Sequence, residues 1–245
     1  MNLAPTPRAP RLYLAGANRH ALLPATEGRF ALESFADISP AVEAYRPLWR
    51  GALLDSGAFS VMTTGRVIDL GAYRDFVAEH GDFYDAIASL DVIDGDWRAS
   101  VTNWRAMPGT FPTWHEGEPP ELLRDYLEEQ SGGDWVGIGM QRPGGRLDPA
   151  QTRRVLASLP RDHAAHVHGW SLTMYAAAYP FASTDSAAWI RMLAAHSANG
   201  DLRHLTKREL MNITIARLDR APRRSQWDPN WSYSAAARTA QQSLL

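Results

Sequence analysis

Short apolar runs alternate along this chain with longer stretches patterned for helices. The runs are Arg11–Ala17, Gly51–Asp55, Tyr84–Asp91, Thr110–His115, Trp135–Met140 and His163–His168, with a weaker one at Phe181–Asp185. Helix signals lie between them. Ser39-Pro40 and Asp148-Pro149 each set an N-cap residue before a proline at the first helical position. Gln151 follows Asp148 at capping-box spacing. Leu70, Tyr73, Phe76 and Val77 recur at helical intervals. Strands that alternate with helices imply parallel strands joined by crossover helices.

This order predicts an α/β fold, a compact (β/α)8 TIM barrel, with an open doubly wound sheet as the alternative. Seven runs are visible, so Asp201–Leu218 is expected to supply the last strand-and-helix unit. Residues 1–219 then form one catalytic domain, and residues 220–245 a tail packed on the barrel.

Composition narrows the classes. The chain has 245 residues, 45% apolar and 21% charged, the usage of an ordinary globular protein. Without cysteine it has no disulfide, thiolate metal site or cysteine nucleophile. A net charge of −2 argues against nucleic-acid binding through bulk charge. No apolar run approaches the ~20 residues of a membrane span. Met1–Pro10 lacks the apolar core of a signal peptide. The expectation is a soluble cytoplasmic protein with no membrane partner.

Chemistry-bearing residues collect where the strands end. Those ends read Asp55-Ser56-Gly57, Asp91, His115-Glu116-Gly117-Glu118, Gly137-Ile138-Gly139-Met140, His168-Gly169 and Thr184-Asp185-Ser186. In a TIM barrel these ends surround one mouth. A single aspartate there reads equally well as the cap of the next helix. Three at the ends of apolar strands point to a shared site, because an unpaired buried carboxylate is costly.

The ordered set resembles the tRNA-guanine transglycosylase superfamily. It is most similar to the short DpdA-like enzymes of phages and bacteria, which place 7-deazaguanine bases in DNA. The residues that carry the resemblance are Asp55-Ser-Gly-Ala-Phe-Ser60, Ser89-Leu-Asp91, His115-Glu-Gly-Glu-Pro119, Val136-Gly-Ile-Gly139, Val167-His-Gly169 and Tyr179-Pro-Phe-Ala-Ser-Thr-Asp-Ser186. The resemblance implies a pentosyltransferase that exchanges guanine in nucleic acid, DNA before tRNA, for a 7-deazaguanine such as preQ0. It implies no cofactor. Asp185 takes the place of the family's nucleophile, in a turn whose N–H groups can bond its carboxylate. Asp55 takes that of the aspartate that moves protons and positions the base. Asp91 takes that of the aspartate that reads the guanine-like edge, a suitable acceptor for two adjacent donors. Gly139 resembles the glycine whose N–H meets the base carbonyl, with Met140 beside it. Phe59 and His168 fall where the family sandwiches the base, and Ser56, His115 and Gly169 complete the substrate set.

The chain departs from the family pattern in three places. Ala58 and Ser60 replace a glycine and a glutamine of the first motif, and His168 stands where an apolar side chain is usual. The zinc-bearing insertion needs cysteines and is absent.

Two other readings compete. His166 and His168, two apart on a strand, face the same side, and with His115 and Asp185 they suggest a metal-dependent hydrolase. A nucleobase-binding module without turnover is the non-catalytic alternative. For the polynucleotide, Arg203–Arg224 carries seven basic residues against two acids. Lys207, Arg208, Arg223 and Arg224 are its phosphate candidates, since phosphate neutralisation supplies much of nucleic-acid affinity.

Overall fold

A computed structural model describes residues 10–16, 20–93, 95–140, 148–176, 178–198 and 204–220. Eight strands form one curled sheet, and every pairing in it is parallel. They are β1 (Arg11–Leu14), β2 (Phe30–Ser34), β3 (Gly51–Asp55), β4 (Ala86–Ile87), β5 (Thr113–His115), β6 (Trp135–Gly139), β7 (His166–Trp170) and β8 (Ser183–Ser186). The spatial order is β4-β3-β2-β1-β8-β7-β6-β5. The first and last strands therefore pair, with Tyr13 opposite Asp185. The two outer strands approach each other through one isolated parallel bridge, Ala88 to Phe111. Ser89 N–H donates to Phe111 O at 2.8 Å, and Phe111 N–H to Ile87 O at 2.8 Å.

Helices follow most strands: α1 (Pro40–Tyr45), α2 (Ala58–Thr64), α3 (Leu70–His80), α4 (Trp97–Arg105), α5 (Pro120–Glu129), α6 (Pro149–Ser158), α7 (Ala188–Ala198) and α8 (Lys207–Arg220). Pro40 and Pro149 stand at helix starts as expected. Asp148 caps α6 by accepting from Ala150 N–H at 2.9 Å. Gln151 does not complete a capping box; its amide bonds the Glu116 carboxylate instead.

The eighth strand is not where the sequence pattern put it. Lys207–Arg220 is helix, and the extra strand is β2, whose apolar pattern is broken by Glu33. Glu33 is buried on the sheet's outer face. It is neutralised by Arg46, with Nη2 to Oε1 at 2.8 Å and Nε to Oε2 at 2.9 Å. Tyr84 hydroxyl donates to it at 2.8 Å. A charge paired and hydrogen-bonded in this way can sit inside a core. The sixth run, His163–His168, is also shifted: β7 begins at His166 and reaches Trp170.

Alternation divides each strand between two cores. Outward-facing residues pack under the helices, as Val136, Ile138 and Val167 do with Leu123, Tyr126 and Leu156. Inward-facing Tyr13, Leu32, Leu53, Ala86, Ala88 and Phe111 fill the middle of the sheet. This inner plug leaves the polar residues one pleat further on, at the carboxyl ends, as the floor of a depression.

Candidate active site

A cavity of ≈ 770 Å³ opens at those carboxyl ends. Asp55, Asp91 and Asp185 all line it, with His115, Gly139, Met140, Phe59 and Trp170. Its size falls within the range of small-molecule sites.

Asp55 ends β3, opposite Ser34 of β2. The turn after it depends on Gly57, at φ +84°, where a side chain is strained and an added Cβ would lie 2.5 Å from that of Ala36. Burial pushes the Asp55 carboxyl up to about 7. The Gly57 N–H opposes that rise, and the charges of Asp91 and Asp185 add to it. A carboxyl in that range can both give and take a proton near neutral pH.

Asp91, His115 and Glu118 form a second array. His115 Nε2 lies 3.7 Å from Asp91 Oδ2, and its Nδ1 lies 3.5 Å from Glu118 Oε1. Glu118 Oε2 accepts from the His115 backbone N–H at 3.0 Å. Asp91 Oδ1 is buried with no hydrogen-bond partner. Burial raises the Asp91 carboxyl to about 6; the His115 imidazole and Thr113 hydroxyl pull it back, and Glu118 pushes it further. Burial draws His115 down, but the Glu118 carboxylate beside Nδ1 and the charges of Asp91 and Glu118 outweigh it, so its pKa is raised. The result is an imidazole biased toward its charged form beside an acceptor oxygen awaiting a donor.

Asp185 lies on β8 and is buried. Its Oδ1 accepts from Ser171 N–H at 2.6 Å and lies 3.5 Å from His168 Nε2. The N–H comes from the loop after β7, rather than from the Thr184-Asp185-Ser186 turn. Ser171 holds φ +56°, the one positive value outside glycine among the described residues. A rare backbone conformation at the carboxylate's contact is the kind of strain that gathers at functional sites.

The remaining candidates divide. Phe59, half exposed on α2, faces the cavity. Gly139 is needed for close approach: an added Cβ would stand 2.6 Å from His115 Cδ2. Three others do not line the wall. Ser56 is buried and its hydroxyl accepts from Ala58 N–H at 3.3 Å, at the start of α2. Gly169 lies under the Phe181 ring, whose nearest atom would be 2.8 Å from an added Cβ. His168 is wholly buried beneath the floor, so the expected Phe59–His168 sandwich is corrected: Trp170, one pleat on, stands at the wall. Lys207 and Arg208 open α8, while Arg223 and Arg224 lie outside the described residues.

The sequence reading gave no role to Glu118 or Ser171. Glu118 had a visible signal, a second acid three residues past His115 in one turn. Ser171 had none.

The His-x-His metal reading loses its geometry. His166 and His168 share a face but lie at different depths. His166 is exposed at the start of β7 with its ring centroid 5.4 Å from that of Trp135, while His168 Nδ1 is engaged by Ser183. Among the described residues no group of three or more His, Asp or Glu is arranged to hold a metal ion. Nor is any described helix long and apolar enough to cross a membrane.

No family model, curated protein or solved structure matches the chain.

Proposed function

We propose that the protein is a base-exchange transglycosylase on a closed (β/α)8 barrel, similar to the tRNA-guanine transglycosylase superfamily and its DpdA-like members. The observation that carries the reading is the gathering of Asp55, Asp91 and Asp185 in one cavity. The Ala88–Phe111 bridge between the outer strands supports closure.

Breaking a purine–sugar bond builds positive charge on the sugar, as in glycoside cleavage. Asp185 attacks the anomeric carbon and forms an aspartyl–sugar ester. The bond to guanine breaks, its electron pair leaves with the base, and Asp55 supplies the proton that neutralises it. A 7-deazaguanine base then enters and gives its N–H proton to Asp55. Its ring nitrogen attacks the same carbon and releases Asp185. Asp91 accepts from the ring N–H and exocyclic amine of either base, His115 donates toward the carbonyl, and Phe59 offers a stacking face. The target nucleotide must leave its stack to reach these groups. DNA is the favoured polymer and preQ0 the favoured incoming base, both on the resemblance.

The test is incubation of the protein with guanine-containing DNA and, separately, tRNA, in the presence of labelled guanine or a 7-deazaguanine, followed by mass spectrometry of the nucleosides. Label should enter one polymer, and Asp185→Asn should abolish incorporation. Full incorporation by folded Asp185→Asn would remove the nucleophile.

A further inference from the structure

The His168 ring lies under the cavity floor without lining it, and its surroundings are polar on one edge and aromatic on the other. Its side chain is 0% exposed and that of Asp185 6%. Nδ1 lies 2.8 Å from Ser183 Oγ, and Nε2 lies 3.5 Å from Asp185 Oδ1. The three residues belong to neighbouring strands, with His168 directly opposite Ser183 in the register. The rings of Trp170 and Tyr13 pack edge-on, with centroids at 4.4 and 6.1 Å, and hinder rotation of the imidazole. Nε2 is buried with no hydrogen-bond partner, and Asp185 Oδ1, at 3.5 Å, is the carboxylate oxygen it faces.

The Asp185 carboxylate facing Nε2 favours the tautomer with the ring proton on that nitrogen, and Nδ1 then accepts from the Ser183 hydroxyl. The Ser171 N–H reaches the same carboxylate oxygen, Oδ1. Both contacts therefore load one oxygen, and Oδ2 is left for the cavity.

We propose that His168 is a positioning residue for Asp185: the Ser183–His168 pair and the Ser171 N–H hold Oδ1, so that Oδ2 is the oxygen presented to the sugar. The attack rests on the transglycosylase reading; the buried array of Ser183, His168, Ser171 and Asp185 does not. An array of this kind acts through orientation, and a misplacement of about 1 Å can cost roughly 100-fold in rate.

The experiment compares the full chain with His168→Leu, His168→Gln and Ser183→Ala. The first readout is single-turnover formation of the covalent adduct on a guanine-containing oligonucleotide, with the KM for labelled guanine measured alongside. His168→Leu should slow adduct formation roughly 100-fold while the guanine KM stays within about twofold, because the lost interaction orients the nucleophile and does not touch the base. His168→Gln keeps an N–H of similar reach and should recover about tenfold of that loss. Ser183→Ala should fall between wild type and His168→Leu. Wild-type rates in Ser183→Ala, or a loss in His168→Leu that lies wholly in KM, overturn the proposal. If His168→Leu does not fold, Ser183→Ala and His168→Gln decide it alone.

The second readout is imidazole ¹⁵N–¹H NMR, which needs no turnover. His168 should carry its proton on Nε2, and Asp185→Asn should move that signal. An unmoved signal overturns the array. Absence of exchange by the wild type with a moved signal instead defeats the transglycosylase reading and leaves the array standing.

Discussion

Asp91 presents one oxygen to His115, at 3.7 Å, and keeps the other buried and unbonded. Glu118 stands on the far side of the same imidazole. Removing the Glu118 charge takes away one of two anions that favour the imidazolium, and the Asp91 carboxylate then stands beside a weaker partner. Glu118→Gln should weaken guanine binding about tenfold, within the range of a lost charge-assisted contact. Quenching of Trp170, which borders the cavity, provides the titration signal. Unchanged affinity would show that Glu118 serves only the turn.

Asp55 makes stability depend on pH in a defined direction. Its folded value, about 7, is above the ordinary carboxylate value of 3.8. Between those values the folded protein binds the proton more tightly than the unfolded chain, so stability falls as pH rises through the window and levels off above it. Asp91, at about 6, adds the same trend over a narrower span. Asp55→Asn should raise Tm on the order of 5 °C at pH 8 and leave it nearly unchanged at pH 4. Differential scanning calorimetry at the two pH values checks this. On the proposed exchange reaction, kcat/KM should decline above pH about 7, where Asp55 loses the proton that reading assigns to the departing base.

Phe59 and Gly139 separate contact from clearance. Phe59→Ala should cost about 1–3 kcal/mol in base affinity by loss of a stacking face, and less than about 0.5 kcal/mol in stability because the ring is half exposed. Gly139→Ala should displace the His115 ring, which would otherwise lie 2.6 Å from the new Cβ, and weaken binding through His115. Calorimetric titration with guanine, paired with thermal melts, distinguishes these from general destabilisation.

The Glu33–Arg46 pair holds β2 in the sheet. Arg46→Met leaves a buried carboxylate beside Tyr84 with no cation, which should cost about 3–5 kcal/mol in urea unfolding. Adding Glu33→Gln to that variant should restore part of the loss.

Much of the sheet was legible because six of its strands fall in or overlap apolar runs of strand length bounded by turns, and β8 overlaps a weaker one. β2 was hidden by Glu33, whose partners, the Arg46 cation and the Tyr84 hydroxyl, lie 13 and 51 residues away in the chain. That pairing belongs to tertiary structure and leaves no periodic trace. The three aspartates were legible because each ends an apolar run. His168 was misread for the converse reason: alternation gives its face correctly, but not its depth along the strand. Only the register with Ser183 sets it below the cavity. Ser171 was invisible, since no local pattern announces a left-handed serine.

The pairing of β1 with β8 has a consequence for synthesis. Tyr13 lies beside Asp185, so the 171 residues between them must be made before the first strand meets its last neighbour. A nascent polypeptide short of that point has Asp55, Asp91 and His115 but lacks Asp185. Until then the set of three carboxylates that line the cavity is incomplete, so the site assembles only after the strand that joins β1 has been made.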